Sequence, residues 1–169
     1  MHTKEAIKFA LSVSNRAVLS VIDKMSDAGT TFPTPNGGCH PLWVLGHLTI
    51  VEGMIPEVLL GDTNPVAEWQ KYFGEHSEAV ANASAYPPFA EVREKYLELR
   101  ERNLKLLESL SEEDLDKPTT APPKGREQEF ATFGRSFLVL ALHQIMHRSH
   151  VTDALRAAGR TALATAASN

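Results

Sequence analysis

The chain has only one cysteine, Cys39, and fewer basic residues than acidic ones. A single thiol cannot build a disulfide framework or a zinc site with several thiolates, so a metal site would have to use histidine and carboxylate side chains. The formal net charge is -4 and lysines and arginines do not cluster, which argues against a nucleic-acid partner. The sequence also lacks an evident apolar run long enough to cross a membrane, and its polar start lacks the apolar core of a signal peptide. These absences predict a cytoplasmic protein with no nucleic-acid or membrane partner.

What is present is typical of a globular protein: 169 residues, of which 43% are hydrophobic and 22% charged. Glycine and proline concentrate in a few regions, and between them apolar residues recur at spacings of three and four, which indicates amphipathic helices. We predict four helices, over residues 3–27, 41–60, 89–110 and 132–158. Pro41 suits the first position of the second helix with His40 as its cap, while Pro56 could kink that helix or end it early.

A long polar segment, residues 61–86, separates the second and third helices and is expected to contain one short helical turn near Trp69. A connection of this length usually joins distant corners of a bundle. The sequence therefore predicts an all-α fold, an antiparallel four-helix bundle with a long crossover connection. We assign residues 1–160 to this single four-helix-bundle domain and residues 161–169 to a frayed tail.

The last helix contains the segment LHQIMHRSH, residues 142–150. At about 100° per residue, His143, His147 and His150 fall within an arc of about 60° and are predicted to face the core. Two histidines four residues apart can converge on one metal ion, about 2.0–2.1 Å from each nitrogen. A third ligand must come from another helix, and His47 on the second helix, in line with Val51, has the strongest geometric claim.

The competing interpretation is a set of core histidines satisfied by ordinary hydrogen bonds. Three histidines on one helix cannot all reach one ion comfortably, so we expect His150 to serve the pocket or an outer shell. Glu52 points about 140° away from His47 and is interpreted as a solvated charge. Gln144 is likewise expected to project away from the histidine face. Cys39 precedes the second helix and is interpreted as a small buried residue that could lie near the mouth of the site.

Two segments, HPLWVLGHLTIVEG and LALHQIMHRSHVTDALRAAG, resemble the DinB-like (DinB/YfiT) superfamily. In that family, a Trp-x-x-Gly-His-Leu-like motif on the second helix supplies one metal-ligating histidine, and a His-x-x-x-His-Arg pattern on the fourth supplies two. The resemblance therefore implies that His47, His143 and His147 bind the metal. Family members often read His-Arg-Gly-Gln where this chain reads HRSH, which places His150 where an amide is usual.

Three neutral imidazoles would leave coordination positions open for water or substrate, which is typical of catalytic metal sites. Such an ion could lower the pKa of bound water toward about 7 for hydrolysis, or bind a thiol as thiolate. The resemblance implies the second, a thiol S-transferase-like enzyme with a low-molecular-weight thiol as cosubstrate, and it also implies a homodimer. Histidine-only ligation suits zinc, nickel, iron and copper about equally, and we expect a divalent zinc, nickel or iron ion. His150 is the candidate catalytic residue, as a general base or a substrate-binding group.

The alternative that the sequence leaves open is a non-enzymatic stress-response or binding bundle. In that protein a structural metal, or a buried histidine network, would only stabilise the fold.

Overall fold

The fold is that of a computed structural model, which describes residues 2–26, 30–31 and 39–160. It contains four long helices, α1 (Thr3–Ile22), α2 (Pro41–Leu60), α4 (Phe89–Ser109) and α5 (Phe133–Ala157), and one short helix in the crossover, α3 (Gln70–Phe73). Within the described ranges no β-strand occurs, so the predicted all-α fold is confirmed. The helix predicted over residues 3–27 ends at Ile22 and is followed by a 3-10 turn, Asp23–Met25. Position 27, most of the loop after it and the predicted tail lie outside the described residues.

The ends of α2 form as the sequence predicts. Pro41 occupies the first helical position, and the Nδ1 atom of the cap residue His40 accepts a hydrogen bond from the Trp43 backbone N–H at 3.0 Å. The helix ends at Gly61, whose φ of 79° lies in the left-handed region that glycine adopts without steric cost. The Pro and Gly signals thus set both boundaries of the helix that carries His47.

Hydrogen bonds and ion pairs give the directions of the helices. α1 runs parallel to α5 and antiparallel to α4, as the following pairs show: Ser14 with Gln144, Ala17 with Arg148, Lys8 with Glu108, and Asp23 with Arg93. α2 runs antiparallel to α5, because its His47 contacts His147 whereas the later Glu52 contacts the earlier Gln144. α2 and α4 are therefore parallel.

The parallel pair explains the long crossover. A chain that leaves the end of α2 must travel the length of the bundle before it can start α4 in the same direction. On the way, Trp69 and Phe73 pack into the core beside α2, and α3 with the 3-10 turn Ala67–Trp69 provides the helical turn predicted near Trp69. This return path brings the crossover against the middle of α2, where His47 lies.

α2 is the central helix of the bundle. By length and composition alone it could cross a membrane, with a mean hydropathy of 1.4, so the expectation that the chain has no such run was wrong. However, 78% of that apolar window is buried inside the bundle, as in the core helix of a globular protein.

α2 does not end early at Pro56 but continues to Leu60. Proline has no N–H, so the carbonyl of Glu52, four residues earlier, loses its helical donor. The side-chain amide of Asn103 on α4 replaces it, because its Nδ2 atom donates to the Glu52 carbonyl at 2.9 Å. The missing helical bond thus becomes a contact between α2 and α4.

Candidate metal centre

Three histidines from two helices meet beside the core. His47 comes from α2, and His143 and His147 come from adjacent turns of α5; each offers one nitrogen, and these atoms all lie within 4.8 Å of one another. The Nε2 atom of His143 is 3.4 Å from that of His47 and 2.9 Å from that of His147. The structure therefore brings together the three residues that the sequence singled out as ligands.

The crossover fixes the orientation of the His47 ring. Its Nδ1 lies 2.8 Å from the backbone oxygen of Phe73, and since a carbonyl only accepts, Nδ1 must carry the proton. The proton-free nitrogen is then Nε2, which points at the other two histidines. A contact from the second ring nitrogen to a carbonyl is the usual way in which proteins orient a metal-ligating histidine.

A glycine makes this approach of the crossover possible. A Cβ atom on Gly46 would lie 2.4 Å from the ring of Phe73, which is fully buried and has no room to retreat. The Gly-His pair of the second-helix motif therefore has a local explanation: Gly46 admits Phe73, and the Phe73 backbone then holds His47.

Trp43 covers the other side of the His47 ring. The two rings stack with centroids 4.9 Å apart and planes 9° from parallel. The indole Nε1 donates a hydrogen bond to the Ser77 hydroxyl at 2.9 Å, so Trp43 is tied to the crossover as well. Trp43 is only 4% exposed, which suits a packing role.

The three histidines are half-buried, and burial shifts their protonation toward the form that binds metals. It lowers the pKa of His143 to about 4, assisted by the nearby His47, and that of His147 to about 3, assisted by His143. Burial also lowers the pKa of His47. All three rings are therefore neutral near pH 7, each with one nitrogen lone pair to offer.

The residues fit a bound ion. Nitrogens at about 2.0–2.1 Å from one ion lie about 3.4 Å apart at tetrahedral angles and about 2.9 Å apart at right angles. The separations of the His143 Nε2 atom from those of His47 and His147, 3.4 and 2.9 Å, match these values. Without an ion, at most one of these two contacts can be a hydrogen bond, because His47 carries its proton on Nδ1 and the His143 Nε2 atom has either one proton to donate or one lone pair to accept. The Nδ1 atoms of His143 and His147 are buried and have no hydrogen-bond partner among the described residues.

His150 lies beside the cluster but does not belong to it. Its ring stacks on that of His147 with centroids 5.6 Å apart, and its Nδ1 accepts a long hydrogen bond, 3.4 Å, from the backbone N–H of Cys39. His150 therefore sits where an outer residue of the site would, and Cys39 is half-buried next to it.

Two expectations about neighbouring residues were wrong. Glu52 is fully buried and bonded to Arg100 at 2.6 Å, and Gln144 is fully buried rather than turned outward. Glu52 was misjudged because a single apolar side was assumed for α2, whereas neighbours surround this helix almost completely. The sequence did contain an indication that Glu52 is buried. Arg100 and Asn103 lie on the buried side of α4, and buried polar side chains need partners inside the bundle.

Together, the bundle and the converging imidazoles define an all-α protein with a three-histidine candidate metal site between two antiparallel helices. The family model of the DinB superfamily matches residues 10–151, which includes all three histidines. The chain belongs to the DinB superfamily. No curated protein matches the chain at the threshold of the comparison.

Proposed function

We propose that the protein is a metal-dependent enzyme that holds a divalent ion through His47, His143 and His147. The ion would be zinc, nickel or iron. The reaction we propose is transfer of a low-molecular-weight thiol to an electrophile, and the second candidate for the same site is hydrolysis of a small substrate. The observation that carries this proposal is the convergence of three neutral imidazole Nε2 atoms at 2.9 and 3.4 Å. Among the described residues no carboxylate joins the cluster, so a bound ion would keep its full positive charge there, which favours an anionic thiolate or hydroxide.

When bound, the ion would supply Lewis acidity that lowers the pKa of a thiol or water. The chain's own groups would position it. Phe73 keeps the proton of His47 on Nδ1, and Trp43 holds that ring flat. Both residues are packed in the core, Phe73 fully buried and Trp43 4% exposed, and packing of this kind preorganises a site.

The contact of His150 refines the role proposed for it. In the neutral ring Nδ1 accepts the Cys39 N–H, so the proton sits on Nε2. We therefore favour a hydrogen-bond donor to substrate over a general base, because a base would first have to release the Cys39 contact.

The test begins with elemental analysis and zinc titration of the purified protein at pH 7.5, followed by thiol consumption with a panel of cellular thiols and an electrophile. We expect about one ion per chain, and loss of affinity in His143→Ala well beyond the roughly 10–100-fold that losing an outer partner costs. His76→Ala, at an exposed crossover histidine, is the control and should bind as the unchanged protein does.

A protein that takes up no ion contradicts the proposal. If the ion binds and raises the melting temperature, but no thiol or water reaction is found, the alternative of a stress-response or binding bundle with a structural metal is favoured. The charge of -4 gives no support to nucleic-acid binding. We also propose a cytoplasmic location, with which a single unpaired cysteine is consistent.

We further propose a homodimer formed through the exposed side of α5. That side is apolar, with 40–66% exposure of Leu138, Leu142, Ile145 and Met146. Leu142 and Met146 lie two residues either side of position 144, and Arg135 and Asp153 lie nine either side. At 100° per residue, Arg135, Leu142, Met146 and Asp153 project within about 40° of one another.

The charges suit a second copy packed antiparallel. A two-fold axis level with position 144 would set Leu142 against the partner's Met146 and Arg135 against the partner's Asp153. Within its own chain Asp153 pairs with Arg156, but both groups are more than half exposed and such pairs contribute little.

Sedimentation velocity tests this face. Met146→Glu should give monomers, whereas the control Leu104→Glu, on an exposed leucine of α4, should not. Arg135→Glu should weaken the dimer and added Asp153→Arg should restore it. A monomeric unchanged protein, or a dimer indifferent to Met146→Glu, contradicts the proposed face.

A further inference from the structure

A buried polar network joins all four long helices one turn from the histidines. Its members come from α1 (Ser14, Asn15), α2 (Glu52), α4 (Tyr96, Arg100, Asn103) and α5 (Gln144). A network of this kind is costly to desolvate and stabilises only the arrangement that satisfies its members. Glu52 and Gln144 lie on the two helices that carry the histidines.

The amide of Gln144 is held by three other helices. Its Nε2 donates to the Glu52 carboxylate at 3.1 Å and to the Tyr96 hydroxyl at 2.9 Å, and its Oε1 accepts from the Ser14 hydroxyl at 2.7 Å. Because a carboxylate only accepts, the amide nitrogen must face Glu52. The Tyr96 hydroxyl gives its own proton to Asn15 at 2.7 Å, so it is free to accept from Gln144.

Glu52 is in turn held from α4. Arg100 lies 2.6 Å from one carboxylate oxygen, and the amide of Asn103 donates to the other at 2.7 Å and to the Glu52 carbonyl at 2.9 Å. Glu52 is fully buried and Arg100 is 4% exposed. The acceptor that faces Gln144 is therefore fixed in place, unlike a surface side chain.

Gln144 follows His143 directly, so the rotation of α5 that suits its amide also determines where His143 and His147 point. The imidazole nitrogens lie about 6 Å from the helix axis, and a rotation of only 10° would move them by about 1 Å. Functional constellations tolerate displacements of about 0.5 Å. A group that fixes the rotation of α5 against α2 therefore decides whether three nitrogens converge.

We propose that Gln144 is a positioning residue of the three-histidine site, which sets the rotation of α5 through Glu52, Tyr96 and Ser14. This inference rests on the metal site proposed above. It assigns to Gln144 a function that the histidine spacing does not suggest, because Gln144 is not one of the three residues whose nitrogens converge.

The test compares metal affinity with stability. Gln144→Met keeps the length of the side chain and removes its hydrogen bonds, and Ser14→Ala removes one partner only, as a milder change that folds if the first does not. The control is Leu115→Ala, which opens a cavity in the other core cluster, away from the histidines. Affinity for Co(II) is measured by competition with a chelator, site geometry by the Co(II) absorption spectrum, and the fold by thermal unfolding of metal-free protein.

We expect about 10–100-fold weaker binding and an altered Co(II) spectrum for Gln144→Met, and about 2–10-fold weaker binding for Ser14→Ala. Leu115→Ala should lower the melting temperature and leave both affinity and spectrum unchanged. Unchanged binding in Gln144→Met, or equal loss in Leu115→Ala, overturns the positioning role alone. An unchanged protein that binds no Co(II) overturns the metal site and this inference together.

Discussion

Gly46→Ala is expected to damage the metal site without touching a ligand. The new methyl group would lie 2.4 Å from three atoms of the Phe73 ring, so Phe73 or α2 must shift. Phe73 is fully buried, and the backbone oxygen of the same residue holds His47 Nδ1 at 2.8 Å. A shift that relieves the clash therefore lengthens the contact that fixes the His47 tautomer.

The magnitudes can be separated. Overpacking of a core costs about 1–3 kcal/mol, while replacing glycine by alanine within a helix returns about 1 kcal/mol. We expect a net loss of about 0–2 kcal/mol of unfolding free energy, or a fall in melting temperature of up to about 8 °C. Loss of an outer partner of a metal-ligating histidine should weaken metal binding about 10–100-fold.

The assay is chelator competition with zinc, combined with thermal unfolding of the metal-free protein. Gly53→Ala is the matched control, because it lies on the same helix and its methyl group would meet Asn64 at 2.2 Å, away from the histidines. The control should lose stability but keep its metal affinity. Full zinc affinity in a folded Gly46→Ala protein would refute the reasoning that the Phe73 carbonyl orients His47.

Two further predictions concern charge in the core. The low pKa values of His143 and His147, about 4 and 3, mean that the unfolded chain binds protons near pH 6.5 that the folded metal-free protein does not. The stability that these residues contribute is therefore present above pH 6.5 and is lost as the pH falls toward 4 and 3. Between pH 7.5 and 5 the midpoint of urea unfolding should fall less in a His143→Asn/His147→Asn variant than in the unchanged protein. Equal falls in the two proteins would contradict this prediction. Glu52→Leu should lower the free energy of unfolding in urea by about 3–5 kcal/mol, because it leaves Arg100 buried without its partner. The double variant Glu52→Leu/Arg100→Met should recover most of this loss. A further, additive loss in the double variant would contradict the coupling of the pair.

The histidines could be found from the sequence because their signal is local. A spacing of four residues puts His143 and His147 on adjacent turns, and a bundle needs only one inward histidine on a facing helix to complete the set. The boundaries of α2 were equally accessible, since Pro41 and Gly61 act through their own backbone. Features of this kind depend on a few neighbouring residues.

The contacts that hold the site could not be found in this way. The buried position of Glu52 depends on how many neighbours surround α2, and a helical wheel assumes a single buried side. The hydrogen bond from His47 is accepted by the main-chain oxygen of Phe73, which every residue type carries, so no residue type in the sequence predicts it. The depth of the site is equally non-local: Met146, next to His147, is 66% exposed because the histidines lie at the edge of the core rather than at its centre.

That main-chain contact has a consequence for how the sequence can vary. Because residue 73 supplies a backbone oxygen, its side chain could change through substitution and the hydrogen bond to His47 would keep its acceptor. An insertion or deletion between Gly61 and residue 73 would instead carry the oxygen away from the ring, whatever side chains remained. The crossover, although largely polar on its surface, should therefore tolerate amino-acid substitutions far better than insertions or deletions.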